Sequence, residues 1–128
     1  MLVCGFWLKV SSEDWGEKMK YEYQAVVDSV YDGDTVTVDV DLGFGIWLRG
    51  QKIRLFGVDA PEVRGEERES GLKSRDWLRN EVLEKSVVLE TVRDKKGKYG
   101  RWLGILFLSG ENVNKKLISQ GLAKAYAS

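Results

Sequence analysis

No histidine occurs among the 128 residues, and cysteine and proline occur once each. Without imidazole, Ser/His and Cys/His nucleophilic pairs, histidine-based ribonuclease chemistry and histidine–metal nuclease sites are all excluded. One cysteine, Cys4, cannot supply the soft ligands zinc prefers, nor form an intrachain disulfide. Any catalysis must therefore run on carboxylates, Arg, Lys, Tyr and hydroxyls, with a hard cation such as Ca²⁺ or Mg²⁺ if a metal takes part. No stretch reaches membrane-spanning length. The apolar run Met1 to Leu8 lacks a basic lead and a small-residue cleavage site, so no signal peptide is read. The expected compartment is the cytoplasm, or the exterior if a signal preceded Met1.

Net charge is also missing, since 20 Lys and Arg balance 20 Asp and Glu. The balance conceals segregation: residues 1–84 carry 11 positive and 17 negative charges, whereas residues 85–128 carry 9 positive and 3 negative. An acidic portion suited to a cation is thus joined to a basic portion suited to an anion. Hydrophobic residues at 43% with 11% aromatics suffice for the core of one small domain.

Residues 1–20 read as an N-terminal arm, carrying Trp7 and Trp15, and residues 21–128 as the domain. Tyr21 to Tyr31 reads as a strand. Asp32-Gly33 signals a hairpin in which glycine supplies a positive φ. From Thr35 to Asp41 the chain alternates strictly, with Val36, Val38 and Val40 on one face. The glycine-rich stretch Leu42 to Gly50 reads as a loop, and Gln51 to Val58 as a third strand with Ile53 and Leu55 on its apolar face. Pro61 imposes an irregular segment. Helical spacing of Ser74, Trp77, Leu78 and Val82 predicts a helix over 66–83. Strands follow at Val87 to Val92 and Trp102 to Leu108, joined by a basic connection, and a short helix at Asn112 to Gln120 stops at Gly121. The predicted class is α+β, mainly β: a five-stranded barrel of the OB type with two helices.

Four motifs carry chemistry: Asp32-Gly33-Asp34-Thr35, the segment Arg54 to Glu62, Lys98-Tyr99-Gly100-Arg101, and Gln120-Gly121-Leu122-Ala123-Lys124. Singly, each has an ordinary explanation as a turn, a rim salt bridge or a solvated basic connection. Asp39 and Asp41 do not open an EF-hand, because the twelfth position from Asp39 is Gly50 instead of Glu. Arg54 departs from its apolar strand, and Asp59 and Glu62 flank the rigid Pro61, which is how a preorganised polar site is built.

Together, in this order and spacing, the motifs resemble those of the staphylococcal nuclease family over about Tyr21 to Tyr126. The resemblance implies Ca²⁺ held by Asp34, Asp59 and the backbone carbonyl of Ala60, where many relatives have Thr. It implies Glu62 as the residue that orients or deprotonates water, and Arg54 with Arg101 as the pair gripping the scissile phosphate. Lys98 and Tyr99 become substrate contacts; a plain turn role for Tyr99 is the alternative. The implied reaction is hydrolysis of DNA and RNA at the P–O5′ bond, leaving 3′-phosphates and favouring accessible single strands, by a monomer or homodimer that does not use a membrane. The other reading is a non-catalytic OB module binding nucleic acid or protein, but such modules have typically lost the carboxylates and arginines present here. Two departures stand out: the family's third, C-terminal helix is not seen before Ser128, and the basic excess common in relatives is missing. The arm, through Trp7 or Trp15, or a second chain, is expected to cover the surface so exposed.

Overall fold

Residues 21–92 and 102–126 are described by a computed structural model. The arm, Lys98, Tyr99 and Arg101 lie outside the described residues. Three long strands, β1 (Tyr21–Asp32), β2 (Thr35–Gly43) and β3 (Ile46–Leu55), form an antiparallel meander. The short β4 (Val58–Asp59) leads into an irregular segment and a 3-10 turn (Gly65–Glu67), then helix α1 (Arg68–Val82). β5 (Ser86–Val92), β6 (Trp102–Leu108), the short β7 (Glu111–Asn112), helix α2 (Val113–Ser119) and β8 (Lys124–Ala125) complete the order.

β1 pairs with both β2 and β5, β5 with β6, and β6 returns in parallel to β3 through Ile53↔Trp102, Arg54↔Leu103 and Leu55↔Gly104. This last pairing closes a five-stranded barrel. A bulge makes the closure possible. β1 turns Val27 inward and then Val30, three positions on, because the β1–β2 register slips between Val27 and Ser29 and leaves Asp28 as the extra residue. The extra residue resets which face looks inward and bends the strand. Val36, Val38, Val40, Ile53, Leu55, Leu89 and Leu106 fill the interior, and α1 adds Leu78 and Val82.

Three sequence readings are corrected. The stretch 42–50 is a loop only at its tip: β2 runs to Gly43, β3 starts at Ile46, and Gly43, Phe44 and Gly45 all take positive φ between them. The glycines act at the turn, while cross-strand pairs Val40↔Leu48 and Asp41↔Trp47 extend the hairpin. β3 likewise ends at Leu55, and Val58–Asp59 pairs instead with Lys124–Ala125 near the chain's end. Gly33, the third case, does not occupy the left-handed region. Its value is its missing side chain, because a Cβ there would stand 2.7 Å from the Cβ of Ser74 and 2.8 Å from that of Ala60. The β1–β2 turn therefore packs tightly onto α1 and the post-β4 segment.

Asn114 ties α2 to the barrel. Its Oδ1 accepts from Leu106 N at 3.2 Å, and its Nδ2 donates to Phe56 O at 2.9 Å and Gly104 O at 3.1 Å. With its side chain deleted, Leu106 N and Phe56 O lose this partner, while Gly104 O keeps the bond from Phe56 N. Asn114→Ala is expected to cost roughly 3 kcal/mol, since each orphaned group is worth about 1–3 kcal/mol. Urea unfolding checks it; a midpoint unchanged from the parent contradicts the assignment.

Candidate functional site

Local sequence places the first carboxylate. Asp32 forms an Asx turn, its Oδ1 accepting from Asp34 N at 3.0 Å, and this turns the chain so that Asp34, the residue before β2, is buried. Asp34 is 9% exposed. Its Oδ1 accepts from the Thr35 hydroxyl at 3.1 Å, and its Oδ2 accepts from Ala60 N at 3.1 Å, a bond spanning 26 positions. That bond docks the segment after β4 onto the β1–β2 turn. Asp59, the residue before, is exposed and opposite Lys124 in register.

Arg54 reaches the same place from β3. Because Ile53 and Leu55 face the core, Arg54 faces outward, where one guanidinium nitrogen lies 3.7 Å from Asp34 Oδ2 and another donates to Val58 O at 3.3 Å. Tyr126, just beyond β8, lays its ring 5.3 Å from the guanidinium, while its own N–H donates to Gly57 O at 2.9 Å. A planar cation between a carboxylate, a carbonyl and an aromatic face is held in one orientation.

Asp34, Arg54 and Ala60 are thus in direct contact, and Asp59 is adjacent. Glu62 projects from the irregular segment into solvent, its N–H donating to Glu67 Oε2 at 3.1 Å. Gly71 of α1 holds that segment close: a Cβ there would strike Glu62 O and Pro61 O. Asp32 and Tyr126 were absent from the sequence-based site. Asp32 had been read only as a turn residue, and Tyr126 comes to Arg54 only through the β4–β8 pair, a contact 72 positions apart that no local pattern announces.

Acidic charge exceeds basic charge here. Burial, and then the nearby Asp34 carboxyl, push the Asp32 carboxyl up from its ordinary value to about 7. Among the described residues no cluster of three or more His, Cys, Asp or Glu side chains is arranged to hold a metal. A dication here would draw on two carboxylates, a carbonyl and water. An all-oxygen donor set with surplus negative charge fits Ca²⁺ or Mg²⁺ and would not suit a soft metal.

Fold and cluster together define a small closed β-barrel with a carboxylate–arginine site at the mouth of its first turn. The model of the staphylococcal nuclease homologue family matches residues 52–128. The chain belongs to this family. It is 34% identical over 103 residues to the thermonuclease of Staphylococcus intermedius, covering 78% of this chain and 58% of that protein. It is 31% identical over 131 residues to an uncharacterized protein of Methanocaldococcus jannaschii, covering 83% and 60%. Endonuclease YhcR of Bacillus subtilis is 34% identical over 116 residues, covering 82% of this chain and 9% of that protein. The chain spans just over half the length of the staphylococcal relative.

Proposed function

We infer that the chain is a nuclease that hydrolyses phosphodiester bonds of DNA and RNA with Ca²⁺. The observation supporting this most directly is the convergence of Asp34, Ala60 and Arg54, from three separate segments, in a chain whose relatives include proteins named as nucleases. Asp34, Asp59 and the carbonyl of Ala60 would hold the cation, which when bound offsets phosphate charge and makes water a better nucleophile.

Glu62, exposed on a segment clamped against α1, orients the attacking water and takes one of its protons. As the water oxygen bonds to phosphorus, the P–O5′ bond breaks and the 5′ oxygen takes up a proton from solvent, leaving a 3′-phosphate. Negative charge grows on the equatorial oxygens. Arg54, oriented by Val58 O and Asp34, offers them a fixed fork, and Arg101 is proposed as its counterpart. Lys98 and Tyr99 are assigned to substrate binding, and single strands are the expected substrate because Asp59 and Glu62 are exposed and an unpaired strand can reach them.

The test is degradation of single-stranded DNA and of RNA by the pure chain, with Ca²⁺, with chelator, and with Glu62→Ala. Loss of product on chelation, its return with Ca²⁺, and about a hundredfold fall in Glu62→Ala are expected. An unchanged rate in Glu62→Ala, or no Ca²⁺-dependent cleavage at all, overturns the reading and leaves a non-catalytic binding module.

A further inference from the structure

The motif Gln120 to Lys124 lies far along the chain from the carboxylates and Arg54, and the fold brings its last residue among them. β8 pairs antiparallel with β4, Asp59 opposite Lys124 and Val58 opposite Ala125, and the bond from Tyr126 N to Gly57 O carries the pairing one step further. Side chains alternate along a strand, so Lys124 and Tyr126 share one face with Asp59, while Val58 turns to the core. Tyr126 is the residue whose ring lies 5.3 Å from the Arg54 guanidinium. Register thus sets Lys124 beside Asp59 and one strand repeat, about 7 Å, from the aromatic ring against Arg54.

This face is short of free positive charge. Asp34, Asp59 and Glu62 surround a guanidinium that already faces Asp34 Oδ2 at 3.7 Å and donates to Val58 O. Lys124 is exposed, and among the described residues its ammonium makes no hydrogen bond or ion pair, not even with Asp59 across the ladder. A polyanion approaching these carboxylates needs a cation that is both fixed in place and uncommitted. Lys124 is fixed by backbone pairing, and its charge is free for a phosphate.

We propose that Lys124 contacts the backbone of a single-stranded nucleic acid, at a phosphate next to the one held by Arg54. The assignment rests on the nuclease reading and gives the C-terminal motif a part in it. Because Lys124 stands one strand repeat away from the Arg54 and Tyr126 pair, it touches a phosphate that does not react. It therefore contributes to binding in the ground state and transition state alike, which appears in KM and leaves kcat nearly unchanged.

Fluorescence anisotropy of a labelled oligothymidylate, with chelator present so that no cleavage occurs, tests this across a series of low salt concentrations. Lys124→Gln is expected to weaken binding severalfold and to make the plot of log K against log salt less steep by about 0.7, the effect of one lost single-strand phosphate contact. Lys124→Arg should keep the parent's slope. Lys115→Gln, which removes an exposed lysine on α2, should also keep it, because net charge alone does not set the slope. With Ca²⁺ restored, Lys124→Gln should raise KM severalfold at nearly the parent's kcat. A parent that binds and cleaves beside a Lys124→Gln protein of unchanged slope overturns this assignment and leaves the nuclease reading standing. Equal changes in Lys124→Gln and Lys115→Gln overturn it too, since the effect would then be one of overall charge. A parent that binds no oligothymidylate at any salt concentration and cleaves nothing overturns both.

Discussion

Arg54→Ala is expected to lower kcat/KM on single-stranded DNA by a hundredfold to a thousandfold, the loss typical when one donor to a developing anion is removed. Arg54→Lys should recover only a small part of it. Lysine restores a point charge but not the planar fork, and the geometry around Arg54 uses planarity twice: separate nitrogens face Asp34 Oδ2 and Val58 O while the flat face meets Tyr126. Steady-state kinetics on both variants, beside urea unfolding, separates the effects. Arg54 is partly buried, so some stability is lost as well, but a shift in unfolding midpoint does not lower turnover in the fraction that remains folded. Lysine matching arginine in rate would show that charge alone is needed.

Gly71→Ala pits two effects against each other. In a free helix, alanine is better than glycine by about 1 kcal/mol. Here its methyl would collide with backbone, the carbonyls of Pro61 and Glu62, which cannot swing aside as a side-chain tip can. Overpacking costs about 1–3 kcal/mol even against side chains. The collision is expected to prevail, with a net loss of roughly 2–3 kcal/mol and a melting temperature lower by about 10 °C. Activity should fall further than stability explains, because the segment pushed outward carries Glu62. Calorimetry and a nuclease assay at a temperature where the variant is folded check both parts. Ser70→Ala, an exposed neighbour on the same helix, serves as the control and should stay within about 0.5 kcal/mol of the parent. A Gly71→Ala protein as stable as that control would mean that the segment yields.

Most strands were legible because their cause is local. The alternation Val36, Val38, Val40 and the pair Ile53, Leu55 separate inward from outward side chains at the period of two that a strand imposes. α1 was legible for the same reason at a period near 3.6, and its buried stripe is Gly71, Ser74, Leu78 and Val82. α2 begins where its cap does, with the Asn112 side chain accepting from Lys115 N. The hairpin from Leu42 to Gly50 was misread because glycines mark a turn without giving its length. Cross-strand pairing extends up to the turn, and pairing is not a local property.

The sequence by itself determined the chemistry that could be present. Lacking histidine and having one cysteine, it left carboxylates, arginines and a hard cation, and its motifs pointed to Asp34, Arg54, Asp59 and Glu62. Only the tertiary structure decided which of these touch. Asp34 meets Ala60 across 26 positions because Gly33 has no side chain to keep the turn from Ser74 and Ala60, and Arg54 meets Tyr126 because β4 pairs with β8. Composition and periodicity follow from each residue and its near neighbours, whereas these contacts depend on barrel closure and steric fit between distant segments. For that reason Gly33, read from sequence as a source of positive φ, proved to be a site of close approach.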